Sequence, residues 1–538
     1  MTRTENTSKL KSESFDLLVI GGGITGAGIA LDARLRGLKT ALIEMNDFAS
    51  GTSSRSSKLI HGGLRYLKQL EFKLVNEVGR ERAIVHHLAP HLVHPDKMLL
   101  PLVKDGNYGY WLTSMGLSVY DFLAGVSPED RRQMLDEKET LEAEPLLRKE
   151  ILEGGGLYAE YRTDDARLVM AVIQSAAAEN ACIANYVKAE DLLVSKGQVV
   201  GAKVKDLLSN SAFKIKAKVV VNATGPWVDE VRSLNEKITG KRLHLTKGIH
   251  LVVPRAKLPI KQTVYFDHSD RRMIFAIPRG NVTYLGTTDT DFKGDKMNPR
   301  VTLADANYIL EAVNYMFPEQ KIVLKDVLSS WAGLRPLIHE EGKSASSISR
   351  KDEIFNSDNG LISIAGGKLT GYRKMAERVT DEVANRLEVV AECTTDQHKL
   401  FNASFKDYAE VETEVKRLEK VFPTFAETPY EIEYIVHNYG RVSQGILEQA
   451  EVFLATNNSE VALVLAELAY TTENEMVCSL QDFFDRRTGR INFNIDSVRR
   501  TKARVGAELA KIRQWNASEL AEELRALDEV LKERSTFD

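Results

Sequence analysis

The sequence lacks the features that mark membrane-spanning, disulfide-rich and metal-binding proteins. Cysteine occurs only three times in 538 residues, at Cys182, Cys393 and Cys478, and these positions have no metal-ligand spacing. Scattered cysteines of this kind are typical of reduced thiols in a cytoplasmic protein. No stretch reaches the ~20 apolar residues that a membrane-spanning helix requires. We therefore expect neither a metal centre nor a chain that crosses a membrane.

A strong excess of one charge is also missing. The formal net charge is −4 and the pI is near 6.3, so the chain has no global electrostatic reason to bind nucleic acid. Residues 1–14 are polar and lack the apolar centre of a signal peptide, which predicts a loose tail. A chain of 538 residues exceeds the size that one hydrophobic core usually serves, so we expect two or three domains.

An apolar strand, three glycines and a helix follow one another near the start of the chain. Residues 16–20 form an apolar run typical of a buried parallel strand. Gly21, Gly23 and Gly26 follow it in G-x-G-x-x-G register and open a predicted helix. The glycines let a pyrophosphate approach the helix N-terminus, where unpaired N–H groups and the helix dipole favour negative charge.

An acidic residue, Glu44, completes this unit at the end of a second apolar run, residues 38–43. A carboxylate about 20 residues after the glycines can accept two hydrogen bonds from an adenosine ribose. A glycine-rich turn without a ligand is the alternative. The ordered succession of strand, glycines, helix, strand and acid favours a dinucleotide site, although this unit alone does not distinguish NAD from FAD.

Hydroxyl-rich and glycine-rich segments elsewhere could contact the same dinucleotide. The loop at residues 52–57 can donate hydrogen bonds to phosphates, or be a solvated turn. A strand at 212–221 ends in small residues that let a cofactor come close, and a strand, glycine pair and helix recur at 361–379. These later turns suit a flavin and disfavour NAD as the sole cofactor. The further cofactor-binding candidates are Thr52, Ser53, Ser54, Ser57, Gly62, Thr224, Gly225, Gly367, Lys368, Leu369 and Thr370.

Other parts of the chain predict a second sheet and a helical C-terminus. Short alternating strands at 243–290 are typical of antiparallel pairing. Beyond about residue 392 the spacing is helical, and Asn516 with Glu519 forms a capping-box pattern. The aromatic segment 98–124 could pack on the core or form a membrane-surface or partner-binding patch.

Three polar residues stand out in glycine-containing motifs. His61 and Arg65 flank a glycine pair, and Arg335 lies between Gly333 and Pro336, where a constrained backbone could fix the guanidinium for bidentate binding of an anion. A packed histidine and surface arginines are the alternative. Histidine is the natural base at neutral pH.

Together, the segments GGGITGAGIA, SSKLIHGGLRYL, NATGPW, GTTDTD, AGLRPL and GGKLTGYRK resemble the FAD-dependent glycerol-3-phosphate dehydrogenase family, within the D-amino-acid-oxidase-like flavoproteins. Glycerol-3-phosphate oxidases are the nearest relatives of that family. The resemblance implies an α/β fold with three parts. These are a Rossmann-like FAD-binding domain at 15–95, 155–240 and 330–390, a mostly antiparallel substrate-binding sheet domain at 96–154 and 241–329, and an α-helical domain at 391–538.

The resemblance also implies an activity. It implies that FAD-dependent oxidation of sn-glycerol 3-phosphate gives dihydroxyacetone phosphate and that electrons pass to membrane quinone. The chain would then be cytoplasmic and peripheral on the inner face of the cell membrane. An oxidase that uses oxygen and a non-catalytic flavin-binding protein are the alternatives. A homodimer, covalent attachment of FAD and the docking surface stay open.

The resemblance carries roles to individual positions. His61 matches the histidine proposed as base in the related oxidases, and Lys247 or Lys368 could stabilise a reduced flavin or a substrate anion. The implied catalytic residues are His61, Arg65, Arg335 and Lys368, and the implied substrate-binding residues are Arg65, Tyr66, His250, Thr287, Asp289, Arg335 and Lys368.

Overall fold

The apolar run near the start of the chain forms an inner strand with parallel neighbours, as predicted, in a sheet that also contains antiparallel pairs. The computed structural model describes residues 2–60, 72–107, 109, 113, 132–340 and 351–537. Strand Ser14–Ile20 pairs in parallel with strands on both sides and is buried along its second half. The described strands of this first sheet are, in spatial order, Glu353–Asn356, Ile362–Ala365, Ser211–Asn222, Ser14–Ile20, Thr40–Ile43 and Cys182–Ala184. The hairpin Val187–Ser195 and Gln198–Asp206 is joined to Ser211–Asn222.

Helices cover the first sheet and meet at small residues. Helix Ile24–Leu35 contacts both Asp165–Ala178 and Tyr372–Arg386. A Cβ added at Gly28 would lie 3.0 Å from the Cβ of Ala376, so the glycine lets two of these helices approach closely. Asp164 caps helix Asp165–Ala178 by accepting a hydrogen bond from the Arg167 N–H.

The second sheet is mostly antiparallel, as predicted. Among its described strands, only Thr263–Asp267 and His94–Val103 pair in parallel. Its strands are, in spatial order, Thr290–Asp291, Lys241–Pro254, Val282–Gly286, Met273–Arg279, Thr263–Asp267, His94–Val103, Leu152–Arg162 and Leu59–Ile60. Ser329–Glu340 is attached to Lys241–Pro254, and Gln133–Leu135 to Leu152–Arg162.

Strand membership differs from the predicted domain bounds at two places. Ser329–Glu340 pairs along its whole length with Lys241–Pro254, and Leu152–Arg162 pairs with His94–Val103. The predicted bounds at residues 330 and 155 assigned most of both strands to the dinucleotide domain. An apolar run identifies a buried strand without naming its partner, so the pattern could not assign these two strands to a sheet.

The N-terminal residues form a helix, and the prediction of a loose tail was wrong. Helix Arg3–Ser12 buries Leu10 completely, and the Arg3 guanidinium lies 2.6 Å from the Asp206 carboxylate. This helix is held by tertiary contacts rather than by an amphipathic pattern, so residues 1–14 contain little local signal for it.

Helices dominate the C-terminal part of the chain, as predicted, and Asn516 and Glu519 make the predicted capping box. Buried ion pairs attach this part to the rest, because Asp47 accepts hydrogen bonds from both Arg486 and Arg487. The C-terminal helices are Tyr408–Val421, Pro423–Ala426, Glu431–Tyr439, Ser443–Phe453, Ser459–Asn474, Arg490–Phe493, Ile495–Arg513 and Ala517–Ser535. The remaining described helices are Phe72–Leu88, Glu137–Ala143, Val228–Asn235 and Leu303–Met316.

No helix within the described ranges combines the length and the apolar character needed to cross a membrane. In the same ranges, no three His, Cys, Asp or Glu side chains come together as a group that could hold a metal ion.

Buried histidines lie where the C-terminal helices meet the two sheets. The rings of His94 and His437 stack with their centroids 4.6 Å apart, and the His91 ring contacts Phe405 at 5.7 Å. Burial, together with nearby positive charge, lowers the pKa of His91 and the pKa of His437 to about 3 each. The folded chain therefore keeps these rings neutral.

We expect the folded chain to lose stability as the pH falls below about 6.5, where histidines of the unfolded chain titrate. Between that pH and about 3 the unfolded chain binds more protons, which costs about 1.4 kcal/mol per pH unit for each such histidine. His91→Phe removes one of these groups, so its melting temperature should fall less between pH 7 and pH 5 than that of the wild type. The exposed His87→Phe is the control, and an identical pH dependence in His91→Phe and wild type would contradict the assignment.

Candidate cofactor and substrate site

Two glycines, Gly21 and Gly26, let helix Ile24–Leu35 pack directly against the end of strand Ser14–Ile20. Gly21 has φ +117°, and a Cβ there would lie 2.5 Å from the Ala223 carbonyl oxygen. A Cβ at Gly26 would lie 1.9 Å from the carbonyl oxygen of Gly21. Since neither space admits a side chain, the N-terminus of helix Ile24–Leu35 and its unpaired N–H groups lie at the edge of the sheet.

The acid predicted to bind ribose is held at the same edge. One Glu44 carboxylate oxygen accepts a hydrogen bond from the Gly22 N–H at 2.7 Å, and the other accepts one from the Asn46 N–H at 2.9 Å. Burial raises the pKa of Glu44, whereas these N–H groups oppose that shift. The carboxylate is therefore fixed before any ligand arrives.

A cavity of about 510 Å³ lies over this helix N-terminus and collects most of the predicted cofactor residues. Its walls come from the first βαβ unit, the hydroxyl-rich loop, the edge that follows strand Ser211–Asn222 and the second glycine pair. The predicted residues that line it are Gly21, Gly23, Glu44, Thr52, Ser53, Thr224, Gly225, Gly367, Lys368 and Leu369.

The remaining described cofactor candidates lie elsewhere. Gly26 packs beneath the cavity, and Ser54 is buried with its carbonyl oxygen accepting a hydrogen bond from Lys58. Ser57 and Thr370 line a second cavity of about 880 Å³. The two cavities adjoin, because both are lined by Thr52, Ser56, Pro336, Gly367, Lys368 and Leu369.

The second cavity contains a fixed guanidinium. Arg335 donates from one Nη to the Thr287 hydroxyl at 3.0 Å, and from the other to the Thr288 carbonyl at 3.0 Å and to Asp289 at 3.2 Å. Its side chain is 29% exposed. Strand Ser329–Glu340 thus presents a bidentate anion-binding group to the cavity.

His250 also lines the second cavity and is 2% exposed. Its Nε2 lies 2.9 Å from the Ser57 hydroxyl, its ring stacks on Trp331 at 4.7 Å, and its Nδ1 has no hydrogen-bond partner among the described residues. Burial, and then the charges of Arg335 and Lys58, lower the pKa of His250 well below its ordinary value. A neutral imidazole with an unused ring nitrogen is suited to hydrogen bonding rather than to carrying charge.

Positive charge dominates the described wall of the second cavity. Burial, followed by the charge of Arg534, lowers the pKa of Arg55 to about 10, which marks a guanidinium with little solvent. Such a wall suits an anionic ligand. The cations are Arg55, Arg271, Arg272, Arg335 and Lys368, and the carboxylates are Glu160 and Asp289.

Three of these arginines were not predicted from the sequence to be site residues. Arg55 lies in the hydroxyl-rich loop, while Arg271 and Arg272 follow strand Thr263–Asp267. None of the three lies in a glycine motif or has a distinctive spacing. Only the folding of distant segments against one another brings them to the same wall.

Lys247, by contrast, does not line either cavity, and its assignment to a flavin or substrate anion was wrong. Its Nζ lies 2.5 Å from Asp305 and donates to the Arg300 carbonyl. Successive side chains of a strand point to opposite faces, and Gly248 and His250 line the second cavity. Lys247, an odd number of positions away from both, therefore faces helix Leu303–Met316.

Four predicted site residues, His61, Gly62, Arg65 and Tyr66, lie outside the described residues, as does most of the aromatic segment 98–124. Their roles stay predictions.

Comparisons with known proteins agree with this arrangement. The family model described as FAD dependent oxidoreductase matches residues 16–373, and the model described as the C-terminal domain of alpha-glycerophosphate oxidase matches residues 393–520. The two matches correspond to the two-sheet body and to the helical C-terminal part.

Individual relatives match almost the whole chain. An aerobic glycerol-3-phosphate dehydrogenase of Bacillus subtilis is 48% identical over 96% of this chain and 94% of the relative. The X-ray structure of a glycerol-3-phosphate dehydrogenase from Bacillus halodurans, complexed with FAD, superposes with a TM-score of 0.85 at 44% identity, covering 99% of this chain and 98% of that one. An L-alpha-glycerophosphate oxidase from Mycoplasma pneumoniae, at 20% identity and a TM-score of 0.55 over 69% of this chain and 95% of its own, shares the fold.

Proposed function

This chain belongs to the family of FAD-dependent glycerol-3-phosphate dehydrogenases, and on that premise we propose that it oxidises sn-glycerol 3-phosphate to dihydroxyacetone phosphate and passes the electrons to membrane quinone. The observation that supports the proposal most directly is the junction of a dinucleotide-type cavity with a cation-lined cavity at Gly367–Leu369. A redox cofactor in the first cavity and a phosphorylated alcohol in the second would meet at this junction.

The first cavity suits FAD in its chemistry. Gly21 and Gly23 leave the backbone open to a pyrophosphate at the helix N-terminus, and the fixed carboxylate of Glu44 suits the adenosine ribose. Thr52 and Ser53 add hydroxyl groups at the cavity wall. Bound there, FAD would supply the hydride acceptor for the reaction.

The second cavity suits a phosphate monoester. Arg335 offers a rigid fork that matches two phosphate oxygens, and we assign it, together with Lys368, to the anionic end of the substrate. Thr287 and Asp289 hold the fork in place, which keeps its orientation before binding. Fixing the phosphate in this way would position the alcohol carbon that reacts.

The proton of the substrate hydroxyl needs a base. His250 is poorly suited to accept it, because burial and the neighbouring charges of Arg335 and Lys58 disfavour its imidazolium form. We therefore assign the base to His61, by its match to the related oxidases, and assign Arg65 and Tyr66 to the substrate. His250 would orient the substrate through a hydrogen bond.

An anaerobic spectrum of the purified, FAD-loaded protein tests the activity. Adding sn-glycerol 3-phosphate should bleach the flavin band, and a quinone analogue should restore it much faster than oxygen does. Rapid restoration by oxygen with stoichiometric peroxide would instead assign the chain to the oxidases. A flavin band that does not bleach would mean that the substrate is wrong.

The electron acceptor implies a location. Because quinone resides in the bilayer, the proposal includes peripheral docking of this chain on the inner face of the cell membrane. Recovery of activity with membrane vesicles containing quinone, and its absence with quinone-free vesicles, would support that part.

A further inference from the structure

A third cavity, of about 320 Å³, lies between the C-terminal helices and the two-sheet body. We call it the interdomain cavity. None of the described residues that line it lines the two cavities of the proposed active site. Phe493, in its wall, contacts Trp331 at 5.7 Å, and Trp331 in turn stacks on His250, so an aromatic layer separates it from the second cavity.

Three helix N-termini meet at the interdomain cavity. The helices are Asp165–Ala178, Glu431–Tyr439 and Ile495–Arg513, and the residues at their starts line the wall. Each helix carries partial positive charge at this end, on N–H groups without an intrahelical partner. The helix that begins at Glu431 has no side-chain cap. The other two helix starts are capped by Asp164 and Asn494. The three helix ends contribute positive partial charge to a wall that also holds the carboxylates of Asp164, Glu431, Glu433 and Asp496.

Two guanidinium groups in the wall have unused donors. Arg279 donates from Nη2 to Asp164 at 3.0 Å, while its buried Nη1 has no hydrogen-bond partner in the described ranges. Arg162 donates from one Nη to the Pro278 carbonyl, and its charge acts to lower the pKa of Glu433 in the same wall. A guanidinium with free N–H groups in a cavity is a typical oxyanion contact.

Two further buried polar side chains in the wall, one of them a certain donor, lack a hydrogen-bond partner in the described part of the chain. Asn438 is 4% exposed and His91 is 1% exposed, and both line the cavity. The Nδ2 of Asn438 and the Nδ1 of His91 have no hydrogen-bond partner among the described residues. Buried polar atoms are rarely left unpaired, so their clustering in one cavity indicates a ligand that accepts hydrogen bonds.

Of the four carboxylates that line the cavity, those of Asp164 and Asp496 are paired with cations, whereas Glu433 lies 3.7 Å from the neutral ring of His437. Asp164 is shared by Arg279 and Lys58, and Asp496 pairs with Arg499. The Oε2 of Glu431, although 3.5 Å from Arg490, accepts no hydrogen bond. Burial raises the pKa of Glu431 and the pKa of Glu433, which weakens their repulsion of an anion.

We propose that the interdomain cavity binds a small oxyanion, a phosphate or a carboxylate, between Arg162, Arg279 and Asn438. The unpartnered Oε2 of Glu431 favours a ligand that also carries a hydroxyl group to donate to it. This site is separate from the proposed active site and does not depend on the proposed reaction.

Calorimetric titration of the FAD-loaded protein tests the site, with inorganic phosphate, malate and succinate as probes. We expect malate to bind more tightly than succinate, because only malate carries the hydroxyl. Comparing the affinity for phosphate with the affinity for malate then shows whether the cavity prefers a phosphate or a carboxylate group. Arg279→Gln should weaken binding by about tenfold to a hundredfold, since it removes a charged donor.

Matched variants separate this site from the second cavity. Asn438→Asp keeps the side-chain volume and replaces a donor with a negative acceptor, so it should weaken binding at least as much as Arg279→Gln and provides a test if that variant fails to fold. Arg335→Gln alters the second cavity and should leave binding at the interdomain cavity intact. Lys203→Gln, at an exposed position, controls for the loss of one positive charge. Absence of binding, or binding lost only in Arg335→Gln, would overturn the proposal. Malate binding no tighter than succinate would overturn the role given to Glu431.

Discussion

Arg335→Gln is expected to lower kcat/KM for sn-glycerol 3-phosphate by about 10²- to 10³-fold. The guanidinium is held by Thr287, Thr288 and Asp289 before substrate arrives, so little is lost in ordering it when the phosphate binds. The loss should appear in kcat as well as in KM, because binding energy at a remote phosphate helps to position the reacting carbon. Steady-state kinetics with a quinone analogue as acceptor measure both constants.

Two further arginine variants define what Arg335 contributes. Arg335→Lys keeps the charge but loses the planar fork, so it should recover only part of the activity. Arg255 directly follows strand Lys241–Pro254, which pairs with the strand that carries Arg335, and within the described ranges it donates only to backbone carbonyls. Arg255→Gln is therefore a matched control that should retain near-normal kinetics. A similar loss of kcat/KM in Arg255→Gln and Arg335→Gln would indicate general damage to the sheet and would refute the assignment of Arg335 to the phosphate.

The parts of the site that the sequence predicted are those encoded over short distances. Gly21, Gly23 and Glu44 belong to one βαβ unit, where spacing along the chain fixes the relative positions of residues in space. Lys368 follows a strand and a glycine pair that obey the same logic. Local pattern and tertiary structure agree at these positions, so the prediction needed no knowledge of which strands pair.

Pairing between distant strands is the part that the sequence did not reveal. Strand Ser329–Glu340 carries Arg335 into the second sheet, although its apolar pattern equally suits a parallel strand of the first. Whether Lys247 lines the cavity depends on which face of its strand is turned toward the cavity. The alternation of side chains along the strand does not determine that face. The interdomain cavity depends on three helix starts from separate segments, a feature that no single stretch of sequence contains.

Gly26→Ala is expected to leave the purified chain almost free of FAD. The new Cβ would lie 1.9 Å from the Gly21 carbonyl oxygen, so the helix must move away from the strand that precedes it. That movement displaces the N–H groups that would hold the pyrophosphate, and overpacking of this kind costs about 1–3 kcal/mol or more in stability. The ratio of flavin to protein absorbance after purification measures the loss.

Gly371→Ala is the matched control, because among the described residues a Cβ at Gly371 would meet no atom within 4 Å beyond its own chain neighbours and helix backbone, and its φ of −90° suits alanine. It should keep a full complement of FAD. Since loss of cofactor also lowers melting temperature, adding FAD should raise the melting temperature of flavin-stripped wild type but not that of Gly26→Ala. A Gly26→Ala protein that regained the wild-type thermal shift with FAD would mean that the helix start tolerates displacement. The close contact between Gly21 and Gly26 would then serve packing of the strand and helix rather than the cofactor.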